Sequence, residues 1–481
     1  MSLLWLVWRA LIAITLMLGY YVLGITLGGG LIYLSYYLFS FDDIFLRGLF
    51  YVCSFAGTVI LFSLPGRNRF HAPGPRLEPR EQPRLFETLN KLALRVGQET
   101  PDEIYLTAEV RVWIIQRGGF MGFGSRRVMA IGFPLIQFLT VSQLEAALVH
   151  EFGHLHAADT WMLPWIHRTQ TGIERTIAMM SFRQQGKWLK FQILRLPFVW
   201  YGNLFMRTTQ AILRIQEFSA DRLAANTAGA VAFAEALRTI NRNQTAFDHY
   251  FFDEVVTAVR HGYHPPLMEG YTLYREFCGK TFDEVRTHPY DRYPPLTERL
   301  AAIEHLPAGK AEDRSPALSL LDKVPELEIG VLVAHALDRQ EELQPISWEE
   351  ASRRVMLAEW RRLSRLNSYA LCQVTLDSLP STVARLDDFA QRTLAPRGQA
   401  DLTRYYAEEV LVSALGYALW RDGWYIDYRP GYLWMRLDDA KINPRHMIEG
   451  IRSPEFTKEK WREMLKSLQL DPALSLAPPT H

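Results

Sequence analysis

His150 and His154 stand four residues apart with Glu151 between them, in the run "LVHEFGHLHAAD". On a helix, residues at that spacing share a face with their Cβ atoms about 5–6 Å apart. Both imidazoles can therefore aim a nitrogen at one ion, and zinc accepts such nitrogens in tetrahedral sites. Glu151 is displaced one position around the helix, close enough to reach a water on that ion. In H-E-x-x-H the protein leaves one zinc position to water, and the glutamate is that water's general base. His156 follows His154 by two residues, points to another face, and is assigned to packing or to the surface.

A catalytic zinc normally takes three protein ligands. Downstream, "RIQEFSADRLAA" sets Glu217 and Asp221 four apart, again at helical spacing. Glu217 would complete a His-His-Glu set. Asp221, one turn later, would accept the free ring N–H of a ligand histidine and fix its tautomer. Alone, E-x-x-x-D on a helix is an ordinary solvated pair; following H-E-x-x-H it becomes specific. His167, His261 and His264 have no spacing that asks for metal.

Thr140 with Gln143 makes a capping box that starts the motif helix, and Leu144, Leu148, Phe152 and Leu155 give it an apolar stripe. Ahead of it, "RLFETLNKLALRVG" has helical spacing, "EIYLTAEVRVWIIQ" is β-rich, "RGGFMGFGSR" is a glycine-rich turn and "RVMAIG" is a second short strand. A small sheet therefore precedes the histidines. An extended substrate could pair with an edge strand at Val112, Trp113, Ile114 and Ile115, which fixes the backbone without demanding a sequence.

The first 65 residues differ from the rest. Arg9 is the only charge from Leu3 to Phe39, and Arg47 the only one from Phe45 to Leu64. Each stretch exceeds the roughly 20 apolar residues or meets the length that a spanning helix needs, and Gly24 with Gly28, Gly29 and Gly30 is expected to mark a tilt, kink or end. Arg67, Arg69, Arg76, Arg80 and Arg84 follow the second stretch, whereas the connector carries Asp42 and Asp43. By the positive-inside rule both ends of the hairpin face the cytoplasm, which implies a multi-pass protein of the cell (inner) membrane. "LPGRNRFHAPGPRLEPREQP" reads as a juxtamembrane linker rather than an element. Residues 189–215 are apolar but interrupted by Arg195, Pro197 and Arg207, which suits an interfacial or membrane-abutting helix.

The formal net charge of +1 gives no reason to expect a nucleic-acid partner. Three separated cysteines, Cys53, Cys278 and Cys372, suggest neither a disulfide framework nor a thiolate zinc site. After about residue 310 the chemistry-bearing motifs stop. "AEWRRLSRLNSYALCQVTL" and "DLTRYYAEEVLVSALGYALW" read as amphipathic helices, "GWYIDYRPGYLWMRL" as a hairpin around Arg429-Pro430-Gly431, and "FTKEKWREMLKSL" as a final helix. The expected fold class is mainly α with a small β-sheet (α+β). Its parts are a transmembrane hairpin over 1–66, a zincin-like catalytic domain over 67–310 and a mainly helical C-terminal domain over 311–481.

Together, "ALVHEFGHLHAAD" and "QEFSADRLAA" behind an apolar hairpin resemble the integral-membrane gluzincin peptidases that include the HtpX heat-shock protease and the CAAX prenyl protease. The resemblance covers roughly residues 1 to 305. It implies one zinc ion per chain held by His150, His154 and Glu217, Glu151 as general base, and Asp221 behind the ligands. It also implies hydrolysis of peptide bonds in protein substrates at the lipid bilayer, in quality control or in processing of a defined precursor. "YPPLTERLAAI" resembles the family's His-Pro stretch with Tyr293 where histidine is usual, and His288 lies five residues earlier; either could stabilise the oxyanion. The other class of reading is a non-enzymatic membrane scaffold or regulator that retains the fold.

Overall fold

The computed structural model describes residues 3–40, 43–64, 70–117, 126–155, 163–180, 189–278, 294–309, 312–336, 343–394, 400–453 and 455–479. The protein is mainly helical with small sheets, and its Cα positions group into two compact units. One comprises Met1–Gln244 with Val285–Leu327, the other Thr245–Glu284 with Glu328–His481.

The first unit opens with α1 (Leu3–Phe39) and α2 (Ile44–Ser63). Asp43 caps α2, its Oδ1 accepting from the N–H groups of Phe45 and Leu46. Both helices are long and apolar enough to cross a membrane, and only 28% and 22% of their apolar windows are buried within the protein. The apolar surface is therefore not consumed by a protein core. α1 continues as helix through Gly24 and Gly28–Gly30, so the glycines do not end it. A Cβ on Gly24 would meet the Leu64 side chain at 2.4 Å, and one on Gly57 would lie 2.6 Å from the Gly28 carbonyl oxygen. The glycines let two backbones touch, as small residues do between membrane helices.

A four-stranded sheet follows, built from β1 (Arg76–Leu77), β2 (Glu103–Thr107), β3 (Val112–Arg117) and β4 (Arg126–Gly132), with α3 (Pro83–Arg95) between the first two. Its order is β1-β2-β4-β3, so β3 is an edge. β2 pairs parallel to β4, and β3 antiparallel to it with Val112 opposite Ile131. The short strand Arg76–Leu77 corrects the reading of that stretch as linker alone; Pro75, Pro79 and Gly74 around it conceal a two-residue pairing. α4 (Phe133–Phe138) leads to α5 (Val141–Gly153), whose capping box forms as expected: Gln143 N donates to Thr140 Oγ1 at 3.4 Å and Thr140 N to Gln143 Oε1 at 3.1 Å.

Then come α6 (Leu163–Met180), the forty-residue α7 (Leu189–Ala228) and α8 (Ala230–Tyr250). α1, α2, α6 and α7 share one core of Ala13, Met17, Tyr20, Ile60, Leu64, Ile166, Ile173, Phe198 and Phe205. Within it Thr176 Oγ1 bonds both Tyr20 Oη (3.0 Å) and Ser63 Oγ (2.7 Å). Such side-chain hydrogen bonds join helices where water cannot.

In the second unit the helix Ala400–Arg421 and the strands Tyr425–Arg429, Tyr432–Leu437 and Ala440–Ile442 enclose a core with Trp360, Leu415, Trp424, Met435, Ile448 and Trp461. The hairpin turns at Pro430-Gly431, where Gly431 has φ +74° and Arg429 faces Tyr432. The stretch from Ala358 is two helices, not one: Leu357–Leu366 and Ser368–Leu371. Asn367 separates them because its Oδ1 accepts from Leu394 N (2.9 Å) and its Nδ2 donates to Leu363 O (2.9 Å). Asn side chains compete in this way with the helix ladder.

The α1–α2 contact yields a first prediction. Gly57→Val should wedge the pair apart and lower stability by about 1–3 kcal/mol, the usual range for overpacking. Thermal unfolding in detergent checks this, and an unchanged Tm would show that the glycine contact is not close-packed.

Candidate metal centre

α5 carries His150 and Glu151 in its last turn and ends at Gly153; His154 is the capping residue, with φ −68° and ψ −17°. The motif thus keeps helical spacing although its second histidine and Leu155 lie at and beyond the helix end. α7 supplies Glu217 and Asp221, 2% and 0% exposed. The two helices meet this closely because residue 153 has no side chain. A Cβ there would lie 2.9 Å from Ala220 Cα and 3.0 Å from Ala220 Cβ.

At that crossing His150 Nε2 lies 3.4 Å from Glu217 Oε2, and His154 Nε2 lies 3.6 Å from Glu217 Oε1. The two imidazoles are 4.9 Å apart and nearly perpendicular, at 86°. With zinc–ligand distances of about 2.0–2.2 Å, neighbouring corners of a tetrahedron are about 3.3–3.6 Å apart. Each histidine thus stands at about that separation from one oxygen of Glu217, His150 from Oε2 and His154 from Oε1. Glu217 Oε2, like His150 Nδ1, is buried with no hydrogen bond of good geometry among the described residues. A buried carboxylate oxygen is costly to leave so unless a cation takes it. Glu151 belongs to the same cluster: one ligand-type atom from each of His150, Glu151 and His154 lies within 4.8 Å of the others.

Behind the ligands, Asp221 Oδ1 stands 3.0 Å from His150 Nδ1. Arg299, on the helix Leu296–Ile303, grips the same carboxylate at both ends, Nη2 to Oδ1 at 2.6 Å and Nε to Oδ2 at 2.9 Å. Burial by itself would pull the His150 pKa down; the carboxylates of Asp221 and Glu217 outweigh it and raise it to about 9. Burial likewise pushes both acids up, but His150 holds Glu217, and Arg299 with His150 hold Asp221, below the ordinary carboxylate range. A cation and a proton compete for the same His150 nitrogen, which makes metal binding weaker in acid.

The structure brings together His150, Glu151, His154, Glu217 and Asp221. Val112, Trp113, Ile114 and Ile115 lie on the edge strand β3, against which α5 packs. Tyr293 and His288 lie outside the described residues, as do His156 and Asp159. His261 instead pairs with Glu359 at 3.1 Å. The sequence does not mark Gly153 as the contact point of two helices, nor Arg299 as the partner of Asp221. A lone arginine in a helix gives no sign of the buried acid it will meet.

Residues 79–306 match the model for peptidase family M48. Over those residues the chain is similar to family M48, the metallopeptidases that include HtpX and the CAAX prenyl proteases. Neither curated proteins nor solved structures yield a match. The M48 segment contains the whole cluster: His150, Glu151, His154, Glu217, Asp221 and Arg299 all fall within it.

Because Gly153 sets the distance between the M48 helices, Gly153→Ala should cost about 1–3 kcal/mol by overpacking and reduce bound metal. Metal content and Tm measured together check this. Wild-type values for both would place the contact elsewhere.

Proposed function

We propose that the protein is a membrane-anchored zinc metalloendopeptidase acting on membrane or membrane-associated proteins. The observation that carries this is the approach of both His150 and His154 to Glu217, with Glu151 in the same cluster as the two histidines. His150, His154 and Glu217 would hold the zinc, which when bound supplies a Lewis acid and lowers the pKa of a water to about 7. Glu151 takes the proton of the attacking water and passes it to the leaving amine. Asp221 keeps the His150 proton on Nδ1, leaving Nε2 as the ligand atom, and Arg299 holds Asp221 ionised for that role. An extended substrate adds to the open edge of β3 at Val112–Ile115, where main-chain hydrogen bonds hold it regardless of sequence.

The membrane part of the proposal rests on α1 and α2, whose apolar faces remain uncovered by protein. α2 has 20 residues, about 30 Å at 1.5 Å each, the thickness of a bilayer's hydrocarbon core. The flanking arginines support a catalytic unit on the cytoplasmic side. α7 packs on the hairpin through Phe198 and Phe205, while Leu196 and Trp200 on its other side are 62% and 69% exposed. These apolar side chains, one turn apart and flanked by Arg195 and Arg207, would lie in the headgroup region. From Phe205 to Glu217 the helix climbs twelve residues, about 18 Å. The site would therefore meet segments close to the bilayer surface before soluble ones.

Two substitutions test the catalytic assignment. Glu151→Gln should retain metal and fold while abolishing cleavage of a peptide or membrane-protein substrate; proteolysis at the wild-type rate would remove Glu151 from the mechanism. Glu217→Ala should lose metal, since two histidines lack the third ligand, and undiminished zinc in that variant would overturn the ligand set.

For the oxyanion we propose the Tyr293 hydroxyl, six residues before Arg299, with His288 as the rival. Losing one such donor typically costs about 2.7–4 kcal/mol of transition-state stabilisation. Tyr293→Phe should accordingly lower kcat roughly a hundredfold or more with KM and zinc content nearly unchanged. Loss in His288→Ala and not in Tyr293→Phe would transfer the role.

A further inference from the structure

We infer that Phe233 is a positioning residue for the metal centre, holding the plane of the His150 imidazole from a third helix. This rests on the zinc reading of the site and adds to it a requirement that the ligand motifs do not contain.

A hydrogen-bond partner on Nδ1 fixes one atom of a histidine ring but leaves the ring free to rock about the line to that partner. Histidine χ2 is a broad, roughly two-fold torsion and supplies little restraint of its own. Asp221, 3.0 Å from His150 Nδ1, therefore sets where the ring is anchored and not which way its plane faces. A rotation of a few tens of degrees would carry Nε2 away from the point it shares with Glu217 and His154. Phe233 supplies the missing restraint. Its ring stacks on the His150 face, with centroids 5.6 Å apart and planes inclined by 24°, within the range of offset aromatic pairs. The neighbouring ligand ring, His154, meets His150 nearly edge-on and leaves this face to Phe233.

The phenyl ring is itself held. Phe233 is 1% exposed and lies in the first turn of α8, whose start is tied by Ala230 N donating to Pro307 O at 3.0 Å. Two residues on, Glu235 Oε2 accepts from Gln143 Nε2 at 3.0 Å, and Gln143 is the residue that closes the capping box of α5. The helix that bears His150 and the helix that bears its stacking partner are thus joined outside the site, in a register that puts Phe233 over the ring.

The test uses the full chain in detergent, with zinc affinity measured by competition with a chromogenic chelator and the visible spectrum of the cobalt(II)-loaded protein as a report of ligand geometry. Phe233→Leu keeps an apolar side chain but removes the flat face. It should weaken zinc binding about 10–100-fold, as loss of an outer-shell partner does, and alter the cobalt spectrum. Phe233→Tyr keeps the face and should retain both. Phe247→Leu makes the same change at another fully buried position of α8 and should leave both readouts unchanged. Zinc affinity in Phe233→Leu no weaker than in Phe247→Leu would overturn the inference, as would a folded Phe233→Tyr as defective as Phe233→Leu. Should leucine not be tolerated, Phe233→Met, flexible and of similar volume, makes the same comparison. A wild-type protein that binds no zinc would sink the zinc reading itself, an outcome distinct from failure of the stacking role.

Discussion

The site depends on one close approach, the crossing of α5 over α7 at Gly153 and Ala220. Metal ligation is short-ranged. Side chains that must share an ion need donor atoms about 3.3–3.6 Å apart, and no rotamer of a glutamate on a helix one side chain farther away would meet both histidines. With hydrogen at position 153 the backbones come within contact of Ala220, and Glu217 reaches both imidazoles. The rest of the unit serves that geometry. The capping box fixes where α5 begins, Asp221 and Arg299 fix the charge behind the ligands, and the helix Leu296–Ile303 closes over the end of α7 to bring Arg299 in.

Charge explains why the surroundings are as buried as they are. Glu217 and Asp221 would be expensive to bury alone, and each has partners: Asp221 the two-pronged Arg299, Glu217 the imidazoles of His150 and His154. The same two carboxylates raise the His150 pKa in spite of burial. The arrangement is a stack of alternating charges, from Arg299 through Asp221 and His150 to Glu217. Its outermost negative group is the one whose oxygen has no good hydrogen bond of its own. Energetically this stores binding strength for a cation in a carboxylate already stripped of water.

α7 joins the apolar hairpin to the candidate metal site. Its first half packs against α1 and α6 through Phe198 and Phe205, and its second half supplies Glu217 and Asp221. A continuous helix transmits position over its length because its hydrogen-bond ladder is stiff, and it does so here despite Pro197, which lies near its start. Thr176, Ser63 and Tyr20 lock the packed half by hydrogen bonds buried among apolar side chains. Where such groups have no water to compete with, each bond favours one register of the helices.

Sequence by itself determined whatever depends on local spacing. The i,i+4 histidines, the i,i+4 acids, the Thr140–Gln143 box and the turn at Gly431 were all legible, since helical period, cap chemistry and positive φ are properties of a few adjacent residues. Two apolar stretches were legible as helices long and apolar enough to cross a membrane. The meaning of the glycines was not: Gly24 and Gly28 carry the same local signal whether they end a helix or admit a neighbour, and only the arrival of α2 decides it. The break at Asn367 needed Leu394, 27 residues away, and the strand at Arg76–Leu77 needed β2. Arg299 lies 78 residues from Asp221, and no spacing rule connects them. The sequence thus determined which side chains could bind and act; tertiary structure decided which stand together, because donor–donor distances and buried charge pairs are set by how separate elements pack.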